Sequence, residues 1–308
     1  MMNFRTPKFW QKKYSFFTLI LIPFSIIWII ISLIRRLTSS EKNYSIPIIC
    51  VGNIYVGGTG KTPLSIKIAN ELKNKKPVII RKFHHNHEDE YELIKNKTKF
   101  LIINSSRGDG INQAIRKKYK FVILDDGFQD HSIKKNLSIL CFKSEQLFGN
   151  GYQLPAGPLR ENLNALKRAK IIVINGGKNK FFEKQIKNIS KNIKIFYTNY
   201  YPKNFNKFKR KSILAFAGIG APENFFQILK TNKLNVKKTL SFPDHYNYTR
   251  TDIEKIVKIA SRKKLQILTT EKDYFRIKKF NIKKINYLKV GLKILNKEKF
   301  FKEILKYL

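Results

Sequence analysis

The stretch VGNIYVGGTGKTPLSIKIANEL, Val51 to Leu72, decides how the chain is read. An apolar run, IPIICVGN, leads into glycines and then into Gly60-Lys61-Thr62, after which Leu64, Ile66, Ile68, Ala69 and Leu72 follow a helix-like spacing. This strand, loop and helix order is that of a phosphate-binding loop. Glycines let the backbone curl until its N–H groups face phosphate oxygens, and the helix behind adds its positive end. Gly57, Gly58, Thr59, Gly60, Lys61 and Thr62 are therefore the candidate nucleotide-binding residues. Lys61 can reach the β- and γ-phosphates of a nucleotide, and the Thr62 hydroxyl can hold Mg²⁺. The spelling departs from the common consensus, because Tyr55 stands where the first glycine is usual.

Working outward, apolar runs recur on both sides. Ile46 to Val51, Pro77 to Arg81, Phe100 to Ile103, Phe121 to Asp126, Leu137 to Phe142 and Ile171 to Gly176 read as strands. Helical patterns follow the loop to about Lys73 and cover Asp109 to Lys118. The alternation predicts an α/β fold with a mostly parallel sheet covered by helices. Beyond a Tyr/Lys/Asn-rich stretch the pattern restarts at SILAFAGIG, PENFFQIL and LQILTT, so a second domain is expected. The expected organisation is 1–40 as a membrane-associated helix, 41–211 as the phosphate-loop core and 212–308 as a smaller α/β domain.

FVILDD places Asp125 and Asp126 at the end of a buried strand, where a carboxylate beside a phosphate loop usually holds Mg²⁺. Adjacent residues on a strand face opposite sides, so both acids reach the metal only across a turn, which Gly127 permits. The Gly/Pro-rich loop FGNGYQLPAGPLRE ends in Arg160-Glu161, and an arginine there can neutralise charge on a transferred phosphoryl group. HHNHEDEYELI, from His84 to Ile94, fits no standard metal spacing and reads as a polar loop. TTEKD at Thr269 to Asp273 follows a strand and has no chemical reading of its own.

Phe16 to Ile34 is an uncharged apolar run flanked by Arg5, Lys8, Lys12 and Lys13 before it and by Arg35 and Arg36 after it. As a helix it is about 28 Å long, close to the roughly 30 Å hydrocarbon core of a bilayer. A spanning helix, a shallow embedded hairpin and a buried core helix all fit the run. The net charge of +41 suits a phosphate-bearing partner, although lysines spread along the whole length also fit coding bias. Cys50 and Cys141 lie in strand-like apolar runs and read as buried thiols.

Taken together, VGNIYVGGTGKTP, DDGFQ, FGNGYQLPAGPLRE, AGIGAPENFF, DHYNYTRTDI and TTEKD, in this order behind an apolar helix, resemble the tetraacyldisaccharide 4′-kinase family. The resemblance implies two α/β/α sandwich domains, the first with a P-loop kinase core, and an active site in the cleft between them. It implies ATP- and Mg²⁺-dependent phosphorylation of the 4′-hydroxyl of a lipid A disaccharide 1-phosphate at the cytoplasmic face of the bacterial inner membrane. The membrane lipid surface would be a partner, and no nucleic acid or obligate protein partner is expected. By motif, the family's catalytic aspartate falls on Asp89 in EDEY, and its loop histidine on His245 in the DH pair. Arg107, Gln129 and Glu161 match positions that touch substrate or support residues that do. Asp89 would then come from the first domain and His245 from the second, so that closure would assemble the base. Two spellings depart from the family: IRKFHHNH replaces a glycine-rich SRGYGG, and DDGFQDH puts Asp130 where DDGFQH has histidine, with His131 one later. A membrane-bound P-loop ATPase or GTPase switch remains the alternative, but it needs neither the LPAGPLRE loop nor a base from a second domain.

Overall fold

The computed structural model describes residues 7–85, 88–244 and 246–308. In chain order its elements are α1 (Phe16–Leu37), β1 (Ile48–Gly52), α2 (Lys61–Glu71), β2 (Pro77–Lys82), α3 (Glu88–Lys97), β3 (Leu101–Asn104), α4 (Arg107–Arg116), β4 (Phe121–Asp125), β5 (Leu137–Lys143), β6 (Ile171–Asn175) and α5 (Lys180–Ile189). They continue with β7 (Lys194–Pro202), β8 (Ile213–Ala217), α6 (Pro222–Thr231), β9 (Val236–Ser241), α7 (Arg250–Arg262), β10 (Gln266–Thr270), α8 (Glu271–Ile277), β11 (Ile285–Leu288), β12 (Val290–Ile294) and α9 (Lys297–Leu305).

The larger sheet runs β12-β7-β6-β5-β1-β4-β2-β3, with parallel pairing from β7 to β3. Its strands are apolar on both faces because helices cover both. Ile48, Cys50, Val78, Ile80, Val122 and Leu124 pack on one side with Ile111 and Ala114 of α4. The intervening residues Ile49, Val51, Ile79 and Ile123 are equally buried, and α2 packs against β1, β2 and β4. Strand order reverses at β1, and such switch points leave a crevice at the carboxyl ends of the strands. The phosphate loop leaves from that end, and Asp125 pairs in register with Val51 on the neighbouring strand.

The smaller sheet, β11-β10-β8-β9, is parallel throughout. Alternate residues of β8 feed two separate cores. Ile213, Ala215 and Ala217 pack with Phe225, Phe226 and Leu229 of α6. Leu214 and Phe216 pack with Ile253, Ile256 and Ala260 of α7. This is the second α/β/α sandwich.

The compact units do not follow a single cut at residue 211. One unit contains 7–83, 98–199 and 292–308; the other contains 84–97 and 200–291. Two expectations are corrected here. The stretch read as a polar loop after β2 is largely helix α3, whose apolar Tyr91 and Ile94 are buried. The Tyr/Lys/Asn-rich stretch before the expected boundary, for which the sequence predicts no element, contains β7, with Phe196, Tyr197 and Thr198 buried. Asp89 therefore stands on a helix of the same unit as the 200–291 segment, not in the phosphate-loop unit.

Helix α1 is built inside out. Its buried residues are Thr18 and Ser25, while Phe16, Phe17, Leu19, Phe24, Ile27 and Leu33 are exposed. It is long and apolar enough to cross a membrane, with a mean hydropathy of 2.7. The polar seam faces the 150–160 loop. Ser25 Oγ donates to the Gln153 carbonyl at 3.0 Å and accepts from the Ala156 N–H at 3.0 Å. Trp28 Nε1 donates to the Arg160 carbonyl at 3.1 Å, and Asn150 Nδ2 to Thr18 Oγ1 at 3.3 Å. Ser25→Ala leaves the buried Ala156 N–H without its partner, while the Gln153 carbonyl keeps the Gly157 N–H at 2.9 Å. The expected cost is about 1–3 kcal/mol, read as a lower midpoint in chemical denaturation.

Candidate active site

The loop geometry explains its residues one at a time. Gly57 has φ +105° and Gly60 φ +95°, values that L side chains rarely adopt. A Cβ added at Gly57 or Gly58 would meet nothing within 4 Å, so the loop backbone lines open space. Helix α2 begins after Gly60 with no side-chain cap, which leaves its first N–H groups for an anion. The Thr59 hydroxyl is 2% exposed and has no partner among the described residues. Tyr55, in place of the usual glycine, is a buried core residue whose hydroxyl accepts a hydrogen bond from Gln11 Nε2 at 2.6 Å. The backbone there pairs with the LPAGPLRE loop: the Val56 N–H donates to the Pro158 carbonyl and the Arg160 N–H to the Ile54 carbonyl.

The two aspartates part company. Asp125 is fully buried; Oδ2 accepts from Thr62 Oγ1 at 2.9 Å and Oδ1 from Ser65 Oγ at 3.0 Å. Arg81 Nη1, at the end of β2, lies 2.5 Å from Asp125 Oδ2 and 3.0 Å from Thr62 Oγ1. Asp126 turns the other way because its own backbone is left-handed, with φ +60°. The turn is thus made at Asp126 and not at Gly127. Its carboxylate faces Lys61 Nζ at 3.5 Å and Arg160 Nη1 at 3.3 Å. Burial pushes the Asp126 carboxyl up, but Lys61, Arg160, Arg81 and Arg107 outweigh it and hold it well below the usual carboxylate range. Burial lowers the Lys61 ammonium, and Asp126 partly restores it.

The remaining polar residues form a connected support. Arg107 donates to the Asp126 carbonyl at 2.7 Å and pairs with Asp130 at 3.2 Å. Gln129 Nε2 donates to the Asn53 carbonyl at 2.8 Å and to Glu161 Oε1 at 3.1 Å, while its Oε1 lies 3.4 Å from Arg160 Nη1. Arg168 pairs with Glu161, stacks 4.2 Å from the centre of the Phe128 ring and contacts His131 Nδ1 at 3.0 Å. Lys61, Thr62, Asp125, Asp126, Arg107, Gln129, Arg160 and Glu161 are thus brought together as expected from sequence. Asp89 lies in the first turn of α3, in the other unit, and His245 lies outside the described residues. Sequence reasoning missed Ser65, Arg81 and Arg168. Ser65 had a signal, since it sits three residues after Thr62 and so on the same helix face.

A family model for tetraacyldisaccharide-1-P 4′-kinase matches residues 17–308. The chain belongs to the tetraacyldisaccharide-1-P 4′-kinase family. It is 42% identical to the tetraacyldisaccharide 4′-kinase of Pelagibacter ubique over 313 residues, covering 99% of this chain and 98% of the relative. It is 33% identical to the corresponding kinase of Rickettsia bellii, covering 90% of this chain and 91% of the relative. The crystal structure of LpxK from Aquifex aeolicus, described as an "apo" form in complex with ATP, superposes with a TM-score of 0.72 at 25% identity, covering 94% of this chain and 99% of that one. In this chain the phosphate loop with Tyr55, the DDGFQ turn and the LPAGPLRE loop form one interlocked arrangement.

His131, beside Arg168 and Lys135, has a measurable signature. Burial, reinforced by the nearby positive charges of Arg168 and Lys135, pushes its imidazole from 6.5 down to about 4. Between those values the unfolded chain binds a proton that the folded chain refuses, so stability rises with pH across this window. The contribution is fully present above 6.5 and is lost as pH falls toward 4. Denaturation midpoints should fall across that interval, and His131→Asn should flatten the dependence.

Proposed function

We propose that Lys61, Arg160 and the α2 N-terminus bind and neutralise the γ-phosphate of ATP, and that Asp89 and His245 take the proton from the acceptor 4′-hydroxyl. The enzyme is an ATP-dependent lipid A 4′-kinase of lipopolysaccharide biosynthesis. The observation that carries the site assignment is the cluster at Asp126, where two cations converge on one carboxylate at the mouth of an open, glycine-lined loop. Nucleotide phosphate competes with Asp126 for Lys61 and Arg160, because its oxygens offer the same charge in the same place.

The residues also fit Mg²⁺. Thr62 Oγ1 and Asp125 Oδ2 are hard oxygen donors 2.9 Å apart, and a cationic guanidinium, that of Arg81, now spans both. Thr62 and Asp125 would hold the ion directly or through water, joined by Asp126 once phosphate takes over its cations, and Mg²⁺ would neutralise charge on the β- and γ-phosphates.

In the transfer, the 4′-oxygen of the disaccharide 1-phosphate forms a bond to the γ-phosphorus while the bond to the bridging oxygen of ADP breaks. The hydroxyl proton passes to the Asp89–His245 pair. A sugar hydroxyl is a poor nucleophile at neutral pH and needs such a base within hydrogen-bond reach. Arg107, Gln129 and Glu161 hold Asp126 and Arg160 in place and border the acceptor. Helix α1, apolar on its outside, holds the chain at the inner membrane where the lipid acceptor lies, with the two sandwiches on the cytoplasmic side.

Two experiments test this reading. Lys61→Ala should lower transfer to a tetraacyldisaccharide 1-phosphate by several kcal/mol in the barrier, on the order of the loss of a preorganised charge-stabilising group. Near-normal turnover in the folded variant would sink the assignment. Removal of residues 1–36 should shift the protein from the membrane to the soluble fraction; unchanged fractionation would place the anchor elsewhere.

A further inference from the structure

The TEKD segment has no direct part in phosphoryl transfer, yet each of its four residues is engaged. Thr270 caps α8: its Oγ1 accepts from the Asp273 N–H at 3.1 Å and donates to Asp273 Oδ2 at 2.6 Å. The next two residues reach α3. Glu271 Oε2 pairs with Lys97 Nζ at 2.5 Å, and Lys272 Nζ pairs with Glu90 Oε1 at 2.8 Å. The two pairs grip opposite ends of α3, and Glu90 is the immediate neighbour of Asp89. Both pairs are largely shielded from solvent, with Glu271 at 12% and Glu90 at 16% exposure, so their geometry is held more firmly than that of a surface pair.

Asp273 reaches the other way. It is fully buried; Oδ2 accepts from the Gly218 N–H at 3.1 Å, and Oδ1 accepts from Tyr248 Oη at 3.2 Å and from Arg276 Nη1 at 3.0 Å. Arg276 Nη1 also donates to the Gly218 carbonyl at 2.6 Å. Tyr248 closes the loop that leaves β9, where Phe242, Tyr246 and Tyr248 stack with ring centres about 5 Å apart (5.0, 5.1 and 5.1 Å). A Cβ at Gly218 would sit 2.7 Å from the Tyr248 hydroxyl, so a side chain here would push against the Tyr248–Asp273 hydrogen bond.

We propose that Thr270–Asp273 is a positioning clamp that ties α3, the helix carrying Asp89, to Tyr248, which follows His245 by three residues in sequence, within one compact unit. It rests on the reading of Asp89 and His245 as the base. Both segments belong to the same compact unit, far apart in sequence, and α8 is the element tied to each. Preassembly of this kind matters because a base misplaced by about 1 Å can cost on the order of 100-fold in rate. Glu271, Lys272 and Asp273 are positioning residues; they act through the segments they hold.

The test compares Lys272→Met, Lys272→Arg and Tyr248→Phe in the full-length enzyme in detergent, measuring kcat for transfer and the dissociation constant for ATP. Lys272→Met should lower kcat by about 10- to 100-fold with ATP affinity nearly unchanged, and Lys272→Arg should recover most of it. Tyr248→Phe, which keeps the ring and loses the hydroxyl, should shift kcat in the same direction. Repeated in an Asp89→Ala background, Lys272→Met should cause little further loss, since residues acting as one unit are non-additive. Wild-type kcat in folded Lys272→Met, or an undiminished further loss in the Asp89→Ala background, overturns the clamp. Full activity of Asp89→Ala by itself overturns the base assignment, and with it the clamp's purpose. An inactive Asp89→Ala beside a fully active Lys272→Met removes the clamp and leaves the base standing.

Discussion

A carboxylate buried at the end of a strand must be neutralised, and the Asp125 side chain has no access to solvent. That one constraint organises the core. Thr62 and Ser65 of α2 reach it from one side and Arg81 of β2 from another, so a helix and two neighbouring strands are fixed to each other at the mouth of the phosphate loop. The loop's open glycine turn is then held at a defined place above a rigid sheet, with Lys61 aimed at the second aspartate. Removing one partner of such a cluster leaves an unpaired buried charge, which is strongly destabilising.

A second constraint links this core to the N-terminal helix. An apolar helix with a buried serine and threonine reverses the usual amphipathic order, and its apolar outer face is long enough to cross a membrane. The polar seam docks on the 150–160 loop, and that loop in turn is hydrogen-bonded to the backbone of the phosphate loop. Arg160 sits at the junction: its carbonyl receives the Trp28 indole, its N–H binds Ile54, and its guanidinium faces Asp126. The apolar N-terminal helix and the glycine-rich loop are therefore tied together through the 150–160 loop.

What could be read in the sequence was what local chemistry specifies. Gly57 and Gly60 are required by backbone conformations that no other residue takes easily, and Gly-Lys-Thr after a strand has one common use. Asp125 was legible because it ends a fully apolar run. Arg81 ends a similar run, but a strand-terminal arginine looks the same whether it faces water or a buried carboxylate; only the register of β2 beside β4 distinguishes the two. Arg168 and the ion pairs of Glu271 and Lys272 join residues distant in sequence, and no local pattern encodes them. Helix α3 was hidden by its charged and histidine-rich surroundings, because it is held by α8, which follows it by more than 170 residues. For the same reason the placement of Asp89 beside the 200–291 segment could not be read from order along the chain.

The account stands or falls on where the γ-phosphate goes. The direct measurement incubates the full-length protein in detergent with ATP labelled at the γ-phosphate and with tetraacyldisaccharide 1-phosphate, then locates the label in the products. The account predicts lipid-dependent incorporation at the 4′-position, in stoichiometric balance with ADP. Label released only as inorganic phosphate, at the same rate with and without the lipid, would contradict it and mark the chain as a nucleotide hydrolase.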